Sequence, residues 1–280
     1  MIYLKQYKVI EIEGIDGEKF LQGQLTCDIA KLDVGKQTLT AHCDPKGKIS
    51  GLFRLYRVSE HTFWVIIHQS LLPEALEQLK KYAIFSKVTF TEKTMFIYGV
   101  INTENFAKIA QNHTACTLEE KTPRHIILSE QPLEAEENSE QWELLDIQNG
   151  VPILLQQNRL TFIPQALNLQ CIEQAISFKK GCYIGQEMVA RAKYRGANKR
   201  AMFTLVGTAS STTELPEIGT AVEMQLGENW RATGTILQGI IVENQLWIQA
   251  VLNKDIDSKT LFRVNGVELT LFPQPYLLEN

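Results

Sequence analysis

Apolar and polar residues alternate over positions 8–13 and the alternation stops at Gly14, which predicts a strand. Residues 17–29 then carry Phe20, Leu21 and Leu25 at helical spacing, so a short helix is expected next. The runs 37–43 and 48–58 flank Asp44-Pro45-Lys46-Gly47, where proline suits the second position of a tight turn and glycine closes it. That is a hairpin, extended by residues 62–67. Residues 70–82 read as a helix with Leu72, Ala75, Leu76 and Leu79 on one face and Pro73 tolerated in its first turn. Strand-like runs at 87–91 and 95–101 lead into a polar helix over 102–112. From about Arg200 the texture changes to short alternating runs, at 202–206, 235–242, 245–252 and 268–272, with Gly and Asn between them. Strands at this spacing predict a small β-barrel or sandwich.

A chain of 280 residues exceeds what one hydrophobic core usually holds, so two unequal units are expected, residues 1–199 and 200–280. With 21% charged residues, 44% hydrophobic residues and a net charge of -4, the composition is that of a soluble globular protein. The first fourteen residues interrupt their apolar positions with Lys5, Lys8, Glu11 and Glu13, unlike a signal or transit peptide. Nothing approaches the roughly 20 apolar residues of a membrane helix. A cytoplasmic location and no membrane partner are therefore expected. Cys27, Cys43, Cys116, Cys171 and Cys182 are odd in number and form no C-x-x-C, and the five histidines have no metal-ligand spacing, so neither a disulfide framework nor a metal site is announced. Residues 130–143 hold six glutamates and no Lys or Arg, which fits a solvated loop or helix edge better than a docking site.

The most informative stretch is 177–200, S-F-K-K-G-C-Y-I-G-Q-E-M-V-A-R-A-K-Y-R-G-A-N-K-R. Its seven Lys and Arg oppose the single acid Glu187, a local charge of +6 in a chain whose total is -4, so the remainder carries -10. Such a field attracts an anionic ligand, a polyglutamate tail or nucleic-acid phosphate; the alternative is a solvated helix face. Few aromatics for base stacking are evident, which argues against direct RNA binding. Gly181 and Gly185 bracket Cys182, Tyr183 and Ile184, and residues 186–192 are good helix formers. Cys182 would sit just before a helix start with Lys179, Lys180 and Arg191 near, conditions that favour thiolate. It could equally be a small apolar residue packed under a tight loop.

The block K-G-C-Y-I-G-Q-E-M-V-A-R, comprising Lys180, Gly181, Cys182, Tyr183, Gly185, Gln186, Glu187 and Arg191 among its residues, closely resembles the signature of the YgfZ family, folate-binding relatives of the T-protein (aminomethyltransferase) of the glycine cleavage system. The resemblance covers nearly the whole chain, through F-L-Q-G-Q-L-T-C-D-I at 20–29, A-H-C-D-P-K-G-K at 41–48, L-K-K-Y-A-I-F-S-K-V-T at 79–89, F-I-P-Q-A-L-N-L-Q at 162–170, K-Y-R-G-A-N-K-R at 193–200 and G-E-N-W-R-A-T-G-T at 227–235. It implies an α+β fold, a ring of T-protein-like units around a central folate channel with a C-terminal β-barrel. It further implies bound tetrahydrofolate or its 5-formyl or methylene form, a monomer, and support of iron-sulfur enzymes such as tRNA methylthiotransferase. The family's two folate-flanking aromatics map to Tyr7, where tryptophan is the family's choice, and to Trp142 in W-E-L-L-D-I-Q-N-G-V-P. A flat pterin needs such an aromatic slot and a few polar groups to read its edge.

Two departures from the T-protein bear on chemistry. Aminomethyl transfer needs a carboxylate near the folate nitrogen, yet the resemblance aligns Gln165 with the T-protein's acid. The segment 100–110 supplies Asn102 but not the following aspartate, leaving Glu104 as the acid that could stand in. The resemblance thus implies a folate-binding accessory protein with thiol or transfer chemistry at Cys182, against the alternative of a folate-dependent aminomethyltransferase or demethylase.

Overall fold

A computed structural model of the chain describes residues 1–101 and 106–278. The first half contains β1 (Ile2–Tyr3), β2 (Tyr7–Glu13), α1 (Gly17–Gln22), β3 (Gln37–Cys43), β4 (Ile49–Arg57), β5 (Thr62–His68), α2 (Leu72–Tyr82) and β6 (Thr89–Lys93). Strands β3-β4-β5-β2-β6, in that order, form an antiparallel five-stranded sheet. Every residue of β4 is buried, because both faces of this sheet are covered. On one face Ile10, Ile12, Phe53 and Val65 pack with Leu21 of α1, Leu79 of α2 and the later segment around Phe162 to Ala175. On the other, Val9, Tyr56, Trp64 and Ile66 meet a second sheet.

That second sheet is built from β1, β7 (Phe96–Val100), β8 (Thr114–Leu118) and β9 (Arg124–Ser129), in the order β1-β7-β9-β8, with α3 (Phe106–Ala110) before β8 and α4 (Glu140–Gln148) after β9. Of the expected polar helix over 102–112, residues Phe106–Ala110 are helical; Asn102 and Glu104 lie outside the described residues. The predicted helix over 17–29 stops at Gln22. Beyond it Thr26 donates its hydroxyl to the Ala175 carbonyl at 2.6 Å and its amide to Ala41, so tertiary hydrogen bonds outweigh helical periodicity there. The acidic stretch is a largely exposed loop running into the first turn of α4.

Residues 149–185 are mostly irregular, punctuated by 3-10 turns, and α5 (Gln186–Tyr194) follows. Then come β10 (Arg200–Thr208), β11 (Val222–Leu226), β12 (Asn229–Thr233), β13 (Thr235–Val242), β14 (Gln245–Asn253), β15 (Phe262–Val264) and β16 (Val267–Leu271), a curled antiparallel seven-stranded sheet ordered β12-β11-β15-β16-β10-β14-β13. It is joined to the rest by buried side-chain hydrogen bonds. The Gln249 amide donates to Val151 O at 2.7 Å and accepts from Ile153 N at 3.1 Å, and Thr204 donates to Ile147 O at 2.9 Å. Asn168 pairs with both backbone groups of Met202. All three sheets therefore converge on α4 and residues 151–154. Among the described residues no helix is long and apolar enough to cross a membrane.

Candidate functional site

Where the sheets converge there is an internal cavity of about 60 Å³. Its wall is mainly apolar, from Leu39, Phe53, Ile97, Ile126 and Leu154, and Tyr7 and Trp142 both face it. Of the described lining side chains only Tyr7 and His68 are half-buried, so the mouth lies on their side. These two are cross-strand partners at one end of β2 and β5, with their rings edge-on at 5.7 Å. Burial raises the Tyr7 phenol above its ordinary value, with the Asp146 and Glu143 charges adding to it, so the hydroxyl stays a donor. Burial lowers His68, leaving a neutral imidazole whose Nδ1 lies 2.8 Å from Ser70 Oγ.

Trp142 is fixed from both sides. Gly99 on β7 leaves room for the indole: a Cβ there would fall 2.6 Å from Cζ3 and closer still to Cε3. Opposite, the fully buried Arg124 guanidinium lies 4.1 Å from the ring centroid and donates to the Trp142 carbonyl at 2.9 Å. Asp146, one helical turn after Trp142, also faces the cavity. Its Oδ1 receives a short hydrogen bond from Arg124 Nη2, while its Oδ2 has no hydrogen bond among the described residues. Around them, Arg54 pairs with Glu120 at 3.1 Å and Glu173 at 2.8 Å, and Arg124 Nε with Glu120 at 2.7 Å. Two guanidiniums thus face three carboxylates with little solvent between them. Arg54 holds Glu173 below the usual carboxylate range against its burial, and the surplus negative charge falls on Asp146, which burial pushes upward. The sequence reading missed this network. The spacing of Trp142 and Asp146 was a usable signal, an acid on the same helix face as the aromatic nominated by resemblance, whereas Arg54, Glu120, Arg124 and Glu173 have no local signature.

Gln165 does not line this cavity. It is buried in a 3-10 turn, Pro164–Leu167, where its Nε2 donates to the Val189 carbonyl at 2.6 Å. The carboxylate that faces this cavity beside Trp142 is Asp146.

Cys182 is exposed, at the tip of a loop held rigidly from beneath. Lys180 turns inward and donates to the carbonyls of Leu25 and Cys27, both at 2.7 Å, and its ammonium lies 4.9 Å from the buried Tyr183 ring. Burial lowers the Lys180 pKa to about 8. Gly185, at φ +83°, caps α5 in a left-handed conformation, and a Cβ there would meet Asp44 O at 2.6 Å. Gln186 reaches back to the Gly181 carbonyl at 3.4 Å. Of the cations expected around the thiol, Lys180 is committed to backbone carbonyls and Arg191 pairs with Glu187 at 3.3 Å. The thiol instead shares a surface cleft of about 460 Å³ with Lys19, His61, Glu18 and Glu60, away from the Trp142 cavity. Among the described residues no three His, Cys, Asp or Glu converge as a metal site.

Comparison with known proteins bears on this architecture. Residues 1–101 match the GCVT N-terminal domain family, and residues 198–267 match the family described as YgfZ, beta-barrel domain. The solved aminomethyltransferase T of the glycine cleavage system from Bartonella henselae superposes with a TM-score of 0.71 over 99% of this chain and 85% of that one, at 12% identity. The fold is therefore that of the T-protein class, three units around an internal cavity with a curled C-terminal sheet. Within that class, the chain is 39% identical to the tRNA-modifying protein YgfZ of Photorhabdus laumondii over 99% of this chain and 92% of that protein, and 52% identical to an uncharacterized protein of Haemophilus influenzae over 96% and 95%. It belongs to the YgfZ family.

Proposed function

We propose that the cavity behind Tyr7 and His68 receives the pterin ring of a tetrahydrofolate derivative, and that the protein is a folate-binding accessory factor supporting iron-sulfur enzymes and, through them, tRNA modification. The observation that carries this is the meeting of Tyr7 and Trp142 in one apolar slot beside a buried carboxylate with an uncommitted oxygen. The donor set suits a pterin: aromatic and aliphatic walls for its faces, Asp146 to accept from its amino-pyrimidine edge, and the Tyr7 hydroxyl as a donor. At about 60 Å³ the cavity is smaller than the 150 Å³ cavity that admits benzene, so the ring enters only as the walls part. Bound folate would supply one-carbon chemistry at its ring nitrogens; Trp142 and Tyr7 hold the ring, and Arg124 holds Trp142.

Asp146 keeps the second reading, an aminomethyltransferase of the T-protein type, in view, because its raised pKa suits proton transfer. The accessory role is preferred because the K-G-C-Y-I-G-Q-E loop is spent on presenting Cys182 to solvent, away from the slot, a feature that aminomethyl transfer does not need. The experiment has two arms. Cells lacking the protein should show reduced methylthiolated tRNA nucleosides with intact glycine cleavage, and pure protein with lipoylated carrier should release no methylene-tetrahydrofolate. Normal nucleosides together with enzymatic turnover would replace this reading with the transferase.

A further inference from the structure

A second cleft, of about 530 Å³, opens between α5 and the end of β14. Among the described residues that line it are Lys193, Lys199 and Lys254 and one acid, Asp255. Phe178 and Tyr194 stand on its wall edge to face, 6.4 Å apart, with Lys193 Nζ 4.1 Å from the Phe178 centroid. Tyr194 is 68% exposed, an unusual position for an aromatic ring that packs against so little. Gln165 also lines the cleft; it is 4% exposed, and with its Nε2 committed to Val189 its Oε1 is buried without a hydrogen-bond partner. A buried, unanswered acceptor of this kind points to a missing donor. Lys179, Arg195 and Arg200 are exposed nearby in sequence and make no ion pair among the described residues. The one acid of this stretch, Glu187, is taken by Arg191.

We infer that this cleft seats one unstacked base of a single-stranded polynucleotide, whose phosphates lie along Lys179, Arg195, Lys199 and Arg200. The inference is independent of the folate reading. Each part answers a part of that ligand: Tyr194 offers a ring for stacking, Lys199 with Lys179, Arg195 and Arg200 offers phosphate contacts, and the Gln165 carbonyl oxygen accepts from an exocyclic amino group once the cleft widens. The remaining chain carries a net -10, so the long-range field favours approach of a polyanion by this basic stretch. The sequence alone argued against RNA for want of aromatics; folding supplies them by bringing Phe178 against Tyr194 on the cleft wall.

The test is fluorescence anisotropy of labelled 12-nucleotide RNA and DNA single strands titrated with the full chain and with Tyr194→Ala, Lys199→Glu and, as a control, Lys80→Glu on α2. Binding should be saturable below about 10⁻⁴ M at about 50 mM salt and weaken with salt at a log-log slope of about -0.7 per phosphate neutralised. Tyr194→Ala should weaken it roughly tenfold, as loss of one stacked base does. Lys199→Glu should weaken it at least as much and flatten the slope by about one contact, and Lys80→Glu should do neither. Both cleft residues are exposed, so circular dichroism should show an unchanged fold. Equal affinity for RNA and DNA supports a shared phosphate-and-base seat, and tighter RNA binding supports one that also reads the 2′-hydroxyl. The inference fails if neither strand binds, if polyglutamate binds in their place, or if Tyr194→Ala binds like the native chain.

Discussion

Gly99→Ala adds a single methyl group and aims it at Trp142. The new Cβ would lie 2.6 Å and 2.8 Å from Cζ3 and Cδ2, where ordinary carbon contacts are about 3.5–4.0 Å, so the indole would have to retreat by roughly 1 Å. It has little freedom to do so: the helix backbone at Trp142 is tied to Arg124, and the guanidinium covers the ring's other face at 4.1 Å. Overpacking of this kind costs about 1–3 kcal/mol, and a ring trapped on two sides belongs in the upper half of that range. For a chain of this size that is a loss of roughly 3–5 °C in melting temperature. The ring's one open direction is the cavity, so folate affinity should fall at least about tenfold, or 1.4 kcal/mol. Thermal melts and folate titrations of Gly99→Ala should be set beside Gly239→Ala on β13, whose added Cβ meets nothing nearer than 3.5 Å. If Gly99→Ala melts and binds like the native chain, Trp142 is not confined as described and the cavity is not the folate site.

Lys180→Met keeps the stem but removes the donor to the Leu25 and Cys27 carbonyls; it should cost about 2–3 kcal/mol by urea unfolding, and an unchanged midpoint would show that water replaces the ammonium. His42, buried between Ser50 and Gln24, has its pKa lowered by burial to about 4, so below pH 6.5 the unfolded chain binds a proton that the folded one refuses. Stability should rise with pH from about 4 to 6.5 by about 3 kcal/mol, and His42→Gln should flatten that rise in denaturant titrations at several pH values. Cys182→Ser, at an exposed tip, should keep the native melting temperature and folate affinity yet lose complementation in cells; full activity would reduce Cys182 to a surface residue.

Much of this fold was legible because its signals are local. The hairpin 37–58 follows from Pro45 and Gly47, and the strands of the C-terminal unit from short alternating runs, so these elements appear where the sequence places them. Strands β8 and β9 were missed; in β9 Arg124 and His125 interrupt a run that is buried along its whole length, because the ion network absorbs the arginine. In β12 polar residues face solvent on both sides, and period-two alternation carries little there. The site divides in the same way. Tyr7 and Trp142 could be nominated by resemblance, and the fold brings them together. Asp146, Arg124 and Gly99 stand beside Trp142 only through what folding sets against them, and Gln165 lines the cleft at α5, not the cavity that Tyr7 and Trp142 share.

The most direct measurement is a calorimetric titration of 5-formyltetrahydrofolate into the native chain, Tyr7→Ala and Trp142→Phe. A slot with two aromatic contacts and a few oriented polar groups predicts one site with a dissociation constant of about a micromolar, near -8 kcal/mol. Trp142→Phe should weaken it about tenfold and abolish most of the accompanying tryptophan quenching, while Tyr7→Ala weakens it less because that ring sits at the mouth. No saturable heat up to about 10⁻⁴ M, or one affinity shared by all three proteins, would contradict a folate site between Tyr7 and Trp142.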